Sequence, residues 1–101
     1  MKVRFTDEAL VQARELRSWW RKHRSAAPKL FSNELRDARR NLARNPRIGT
    51  KWRESQGRVV YRLLLERSKN WVYYEVDDNT KTVVILSVWG APRLRQPADN
   101  D

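Results

Sequence analysis

Residues 57–93, GRVVYRLLLERSKNWVYYEVDDNTKTVVILSVWGAPR, read as three β-strands joined by two polar turns. Val59, Tyr61, Leu63 and Leu65 alternate with Val60, Arg62, Leu64 and Glu66. That period of two sends successive side chains to opposite faces of a strand. Ser68-Lys69-Asn70 interrupts the pattern, and Trp71 to Val76 resumes it. Asp77-Asp78-Asn79-Thr80-Lys81 then supplies residues that tolerate turn geometry. Val83 to Trp89 completes an antiparallel meander, which Gly90-Ala91-Pro92 ends. Neither face of these strands is wholly polar. One is expected to pack on helices, the other to present a partly apolar, partly basic surface suited to binding.

Working outward, Lys2-Val3-Arg4-Phe5 has the alternation of a short first strand. Thr6 is placed to cap a helix, with Asp7 and Glu8 at the positive end of its dipole. Ala9, Ala13, Leu16 and Trp20 recur at helical spacing, which predicts a helix from about Asp7 to Arg24. Arg14, Arg17, Arg21 and Arg24 make a basic stripe away from its apolar face. Ser25-Ala26-Ala27-Pro28 breaks this helix, and Pro28 suits the first turn of the next. Phe31, Leu35, Ala38 and Leu42 mark its buried face until Asn45-Pro46 ends it, while Arg36, Arg39, Arg40 and Arg44 make its other side basic. Residues 45–56, NPRIGTKWRESQ, show no periodicity and read as a loop anchored on the core by Ile48 and Trp52. The fold expected is α+β: a short N-terminal strand, an antiparallel helical hairpin, then a three-stranded antiparallel meander with the helices on one face of the sheet. One domain should span residues 1–95, with 96–101 a frayed tail.

Charge is unevenly distributed. Residues 1–56 carry fifteen Lys/Arg against six Asp/Glu, whereas residues 57–101 carry seven against six. The sheet is therefore nearly neutral, and the basic field comes from the helices and the loop before it. A field of this sign attracts polyanions or an acidic partner. The chain has no cysteine, which excludes a disulfide framework and thiolate metal sites. No apolar run approaches the roughly 20 residues of a membrane span, and the Met1-Lys2-Val3-Arg4 start has no secretory h-region. A cytoplasmic location, no membrane association and no cofactor or metal are the expectations.

The order of elements resembles the RelE/ParE superfamily of bacterial toxins. The stretches that carry the resemblance are LARNPRIGTKW at residues 42–52, GRVVYRLLL at 57–65 and WVYYEVDDNTKTVVILSVWGAPR at 71–93. They match a family pattern of an N-P-x-x-G loop before the sheet, a Y-R dipeptide in the next strand, and an aliphatic I-L-x-V strand ending near a basic residue. The resemblance implies the toxin half of a type II toxin–antitoxin module, held in a hetero-oligomer by a cognate antitoxin that wraps it.

The resemblance also implies one of two mechanisms. RelE-like members are ribosome-dependent, metal-independent messenger RNA endonucleases, in which basic side chains assist 2′-hydroxyl attack together with a Tyr, His or Glu. ParE-like members bind and inhibit DNA gyrase. For the first, Arg62 matches the strand arginine, and Lys51, Arg53 and Arg93 would complete a basic set. Glu54 or Tyr74 would have to transfer the proton, since GAPRLRQPADND after the last strand has no Tyr or His and the only histidine is His23 on the first helix. The reading therefore leans to ParE-like docking, with Arg17, Trp19, Arg21, Arg47, Trp89 and Arg93 as contacts for antitoxin or target. Each residue also has a plainer role: Arg62 could pair with Glu75 across the sheet, and the strand tyrosines could be ordinary strand residues. A nucleic-acid-binding module without toxicity is a third expectation, weakened by the neutral sheet.

Overall fold

The computed structural model describes residues 1–90. In chain order the elements are β1 (Lys2–Phe5), α1 (Asp7–His23), α2 (Leu30–Arg44), β2 (Thr50–Ser55), β3 (Arg58–Leu65), β4 (Asn70–Asp77) and β5 (Thr82–Gly90). The α+β class, the helical hairpin and the meander of β3, β4 and β5 match the expectation. The sheet is larger and mixed: five strands in the order β1-β5-β4-β3-β2, with β1 parallel to β5 and every other pair antiparallel. The segment read as a loop contains a strand, β2, at the sheet edge. Because β2 is exposed along most of its length, it carries no apolar alternation to betray it.

Thr6 caps α1 as its position implied. Its hydroxyl oxygen accepts from the Ala9 amide at 3.1 Å and the hydroxyl donates to the Leu86 carbonyl at 3.1 Å. That second bond matters for the sheet, because β1 stops pairing at Phe5–Ile85 and leaves the β5 edge beyond it open. Gln12 of α1 takes over there, its Oε1 accepting from the Val88 amide at 2.8 Å. Buried backbone donors must find partners, and here a helix side chain supplies what a strand no longer can. Glu34 of α2 serves the β3–β4 turn likewise, accepting from the amides of Arg67 at 2.7 Å and Ser68 at 3.0 Å.

Both helices pack on one face of the sheet. Phe31 and Leu42 of α2, Ala9, Leu16 and Trp20 of α1, Tyr61 and Leu65 of β3, Val72 and Tyr74 of β4, and Val83, Ile85 and Val88 of β5 form the core. Each large apolar side chain removed from water there contributes roughly 1.5–3 kcal/mol. Of the two anchors assigned to the segment before β3, Trp52 is half-buried but Ile48 is 37% exposed, so Ile48 does not anchor it. The anchoring is done by Gly49 instead.

Candidate functional site

The Asn45–Gly49 turn sets the geometry of the site. Pro46 prevents α2 from continuing, and the Ile48 amide closes a turn onto the Asn45 carbonyl at 3.3 Å. The Gly49 amide then donates to the Tyr74 hydroxyl at 3.0 Å. A Cβ at Gly49 would lie 2.5 Å from the Arg62 carbonyl oxygen and 2.8 Å from the Tyr74 hydroxyl, so no side chain fits. This close approach is the physical content of the N-P-x-x-G pattern: the turn brings its backbone directly onto β3 and β4. Arg47 ties the same turn further, its Nε donating to the Tyr61 hydroxyl at 3.3 Å and its Nη2 to Asp78 at 2.8 Å. Those bonds, led by the one to Asp78, raise its pKa and fix it as a cation. The Tyr61 and Tyr74 rings stack 5.4 Å apart beneath it. Burial drives the Tyr74 pKa upward, opposed in part by the Gly49 amide.

Cross-strand register decides which candidate residues can act together. Tyr61 pairs with Tyr74 on the helix-packed face, and Arg62 pairs with Tyr73 on the other. In β2, Lys51 pairs with Tyr61 and Arg53 with Val60, because a bulge intervenes at Trp52. Residues two apart in a regular strand share a face, but one extra residue reverses this. Lys51 therefore sides with Tyr61, and Arg53 with Arg62. Glu54 pairs with Val59, again on the face opposite Arg62. The six residues of the nuclease set thus do not converge: Arg62 and Arg53 share one face, Lys51, Glu54 and Tyr74 lie toward the other, and Arg93 is outside the described residues. Tyr74 is wholly buried with its hydroxyl bonded to Gly49.

Arg62 does not pair with Glu75. Its guanidinium lies 4.3 Å from the centroid of the Trp71 ring, while Glu75 takes Arg58 at 2.6 Å. Arg53 lies 4.6 Å from the Trp52 ring, and Trp52 meets Tyr73 edge-on with centroids 4.6 Å apart. The helix-free face thus carries a layer of alternating guanidinium and aromatic groups. The grouping of Trp52, Trp71 and Tyr73 was missed in the sequence because Trp52 read as a loop anchor and the other two as ordinary strand residues; only the bulge and the register expose it. Tyr73, directly across from Arg62, is 2% exposed. Trp71 and Trp89 pair on this same face, both half-buried.

Apart from Trp89, the described docking candidates lie away from this face. Arg17 lines a groove between α1 and α2. Trp19 is exposed on α1, flanked by His23 stacked at 4.8 Å and Arg24 at 5.6 Å, next to buried Trp20. Arg21 is exposed in the last turn of α1. Arg47 is committed to Asp78 and Tyr61, and Trp89 borders a hollow between α1 and β5. Among the described residues no group of three or more His, Cys, Asp or Glu is placed to hold a metal ion. No described helix is long and apolar enough to cross a membrane.

A family model described as the ParE toxin of type II toxin–antitoxin system, parDE, matches residues 3–94. Among solved structures, a chain of the RelBE2 toxin–antitoxin complex from Mycobacterium tuberculosis is similar at 28% identity and a TM-score of 0.60, covering 89% of this chain and 91% of that one. The isolated E. coli RelE toxin is similar at 26% identity and a TM-score of 0.56, over 91% of this chain and 85% of its own. A chain of the intact E. coli RelBE toxin–antitoxin complex gives 26% identity and a TM-score of 0.56, over 91% and 98%. No curated protein sequence matches the chain significantly.

Proposed function

This chain belongs to the ParE toxin family of type II toxin–antitoxin systems, and on that footing we propose that it arrests growth by binding and inhibiting DNA gyrase. A cognate antitoxin neutralises it by forming a toxin–antitoxin hetero-oligomer. The observation that carries the gyrase reading is the register of the sheet: Tyr74 and Glu54, the two proton-transfer candidates named from the sequence, face away from Arg62. RNA cleavage through a 2′-hydroxyl requires a base and an acid within about 3 Å of the reacting oxygens, directly or through one water. Charge stabilisation by arginine alone supplies part of a barrier and no proton transfer. What the helix-free face offers instead is large aromatic and guanidinium area, the composition of protein-binding hot spots. A supercoiling assay with purified protein tests this reading. Inhibition of gyrase at micromolar toxin, relieved by antitoxin, is expected, and full supercoiling at that concentration counts against it.

One observation favours a second reading, a ribosome-dependent messenger RNA endonuclease. Arg53, Arg62 and Tyr73 share one face of the sheet. For Tyr73 to act, its hydroxyl must first be uncovered, since the residue is buried as it stands. The reading requires codon-linked cuts in cellular transcripts that depend on Arg62.

A further inference from the structure

We propose that the hollow between the C-terminal turn of α1 and the β3–β4 turn binds a free nucleoside monophosphate; this goes beyond the toxin reading and does not depend on it. The hollow has a volume of about 410 Å³, within the range of small-ligand sites. Its apolar wall is Leu16, Trp19 and Trp20 of α1. The two indoles meet edge to face at 5.9 Å, and the Arg24 guanidinium lies 5.6 and 5.9 Å from their centroids. His23 stacks on Trp19 at 4.8 Å, its Nδ1 donating to the Trp19 carbonyl at 3.0 Å. Trp19 is thus braced in place although it is 38% exposed. Indole and guanidinium are both planar groups that pack on a flat ring, so this wall suits an aromatic ligand.

The opposite wall identifies the charge. Arg67, Ser68 and Lys69 line it as consecutive residues of the turn, and among the described residues no acid lines the hollow. The backbone of this turn is already committed. Glu34 accepts from the Arg67 and Ser68 amides, and the Lys69 amide donates to the Leu65 carbonyl at 2.8 Å. The turn is pinned, and its side chains are what remain to hold a ligand. Among the described residues Arg24, Arg67 and Lys69 have no acid partner. Ser68 is 6% exposed, and its buried hydroxyl has no hydrogen-bond partner there either. Leaving such a donor unmet costs about 1–3 kcal/mol, which an acceptor oxygen brought into the hollow relieves. Two cations flanking a hydroxyl match a compact anion with three acceptor oxygens, a phosphate monoester, better than a carboxylate with two. Flat ring and phosphate on one molecule describe a nucleotide, and the volume holds one nucleotide and not a strand.

Isothermal titration calorimetry of the full chain with AMP, adenosine and inorganic phosphate tests the proposal. AMP should bind with a Kd below about 1 mM, and adenosine and phosphate each about tenfold more weakly or less. Trp19→Ala and the double variant Arg67→Gln/Lys69→Gln should each weaken AMP about tenfold. Circular dichroism checks that they are folded, and the double variant alters only exposed side chains. Ser68→Ala separates a ligand contact from a structural role. It should weaken AMP about fivefold while leaving the melting temperature unchanged or higher, because it removes an unmet hydroxyl. Arg40→Gln, exposed on α2, should leave AMP affinity unchanged. A 5′-phosphorylated oligonucleotide will be attracted by the net charge of +10 wherever it binds, and Trp19→Ala should not alter its affinity. No binding of AMP at about 1 mM, equal binding of AMP and phosphate, or wild-type affinity in Ser68→Ala overturns the proposal. So does a loss in Arg40→Gln equal to that of the double variant. An equal loss of oligonucleotide and AMP in Trp19→Ala would make the hollow a seat for a strand end, and overturns the free-nucleotide assignment.

Discussion

The two faces of the sheet are made from alternate residues of the same strands, yet they are built on different principles. On the helix-packed face, Val72, Tyr74, Val83 and Ile85 are wholly buried, and even the Tyr74 hydroxyl is spent on the Gly49 amide. On the other, Arg62 lies over Trp71 and Arg53 over Trp52. The first face holds the molecule together; the second holds charge against aromatic surface, the chemistry of recognition. The difference teaches that a tyrosine next to an arginine in sequence, as in Tyr61-Arg62, says nothing about shared chemistry until the register is known.

Substitutions can break this contrast, the largest effects coming from the helix-packed face. Ile85→Ala should cost about 2–5 kcal/mol in chemical denaturation, whereas Leu64→Ala, half-buried on the helix-free face, should cost well under half as much. Equal losses would mean that the two faces are packed alike. Gly49→Ala comes next, on the order of 3 kcal/mol, because the added methyl meets the backbone of Arg62 at 2.5 Å and that strand cannot yield as a side chain can.

Tyr74→Phe should cost about 1–2 kcal/mol by leaving the Gly49 amide without its acceptor. It should also alter the alkaline limb of the pH–stability curve. Burial raises the Tyr74 pKa above its unfolded value, so its contribution is complete below the ordinary tyrosine range. That contribution is lost as pH rises through this range toward the folded value, because the unfolded chain ionises first. Wild-type stability measured between neutral pH and about pH 11 should fall more steeply than that of Tyr74→Phe. Parallel curves would show that another group controls the limb. The smallest effect belongs to Arg62→Ala, about 0.5–1 kcal/mol from the contact with Trp71. A larger loss would make Arg62 a structural residue of the sheet.

Much of the fold was legible in the sequence, for identifiable reasons. Thr6, Pro46 and the apolar spacing of Leu16–Trp20 and Phe31–Leu42 mark the helices through local chemistry that tertiary packing did not override. The alternation through Val59–Leu65 marks β3 because one of its faces is buried. β2 was not legible, since an exposed edge strand interrupted by a bulge has no period to find. The parallel pairing of β1 with β5 joins residues far apart in sequence, Lys2 with Thr82 at its start, and leaves no local trace. The site suffered most from the bulge at Trp52. Lys51 and Arg53 were expected to serve one basic set in a loop, and in the strand that forms there one inserted residue sends them to opposite faces.

Primer extension on messenger RNA from cells arrested by this protein tests the separation of the two faces most directly. If the helix-free face docks a protein and cleaves nothing, transcripts remain intact through the arrest, in the wild type and in Arg62→Ala alike. Codon-linked cuts in the wild type that Arg62→Ala abolishes would contradict the account and place a working nuclease on the helix-free face.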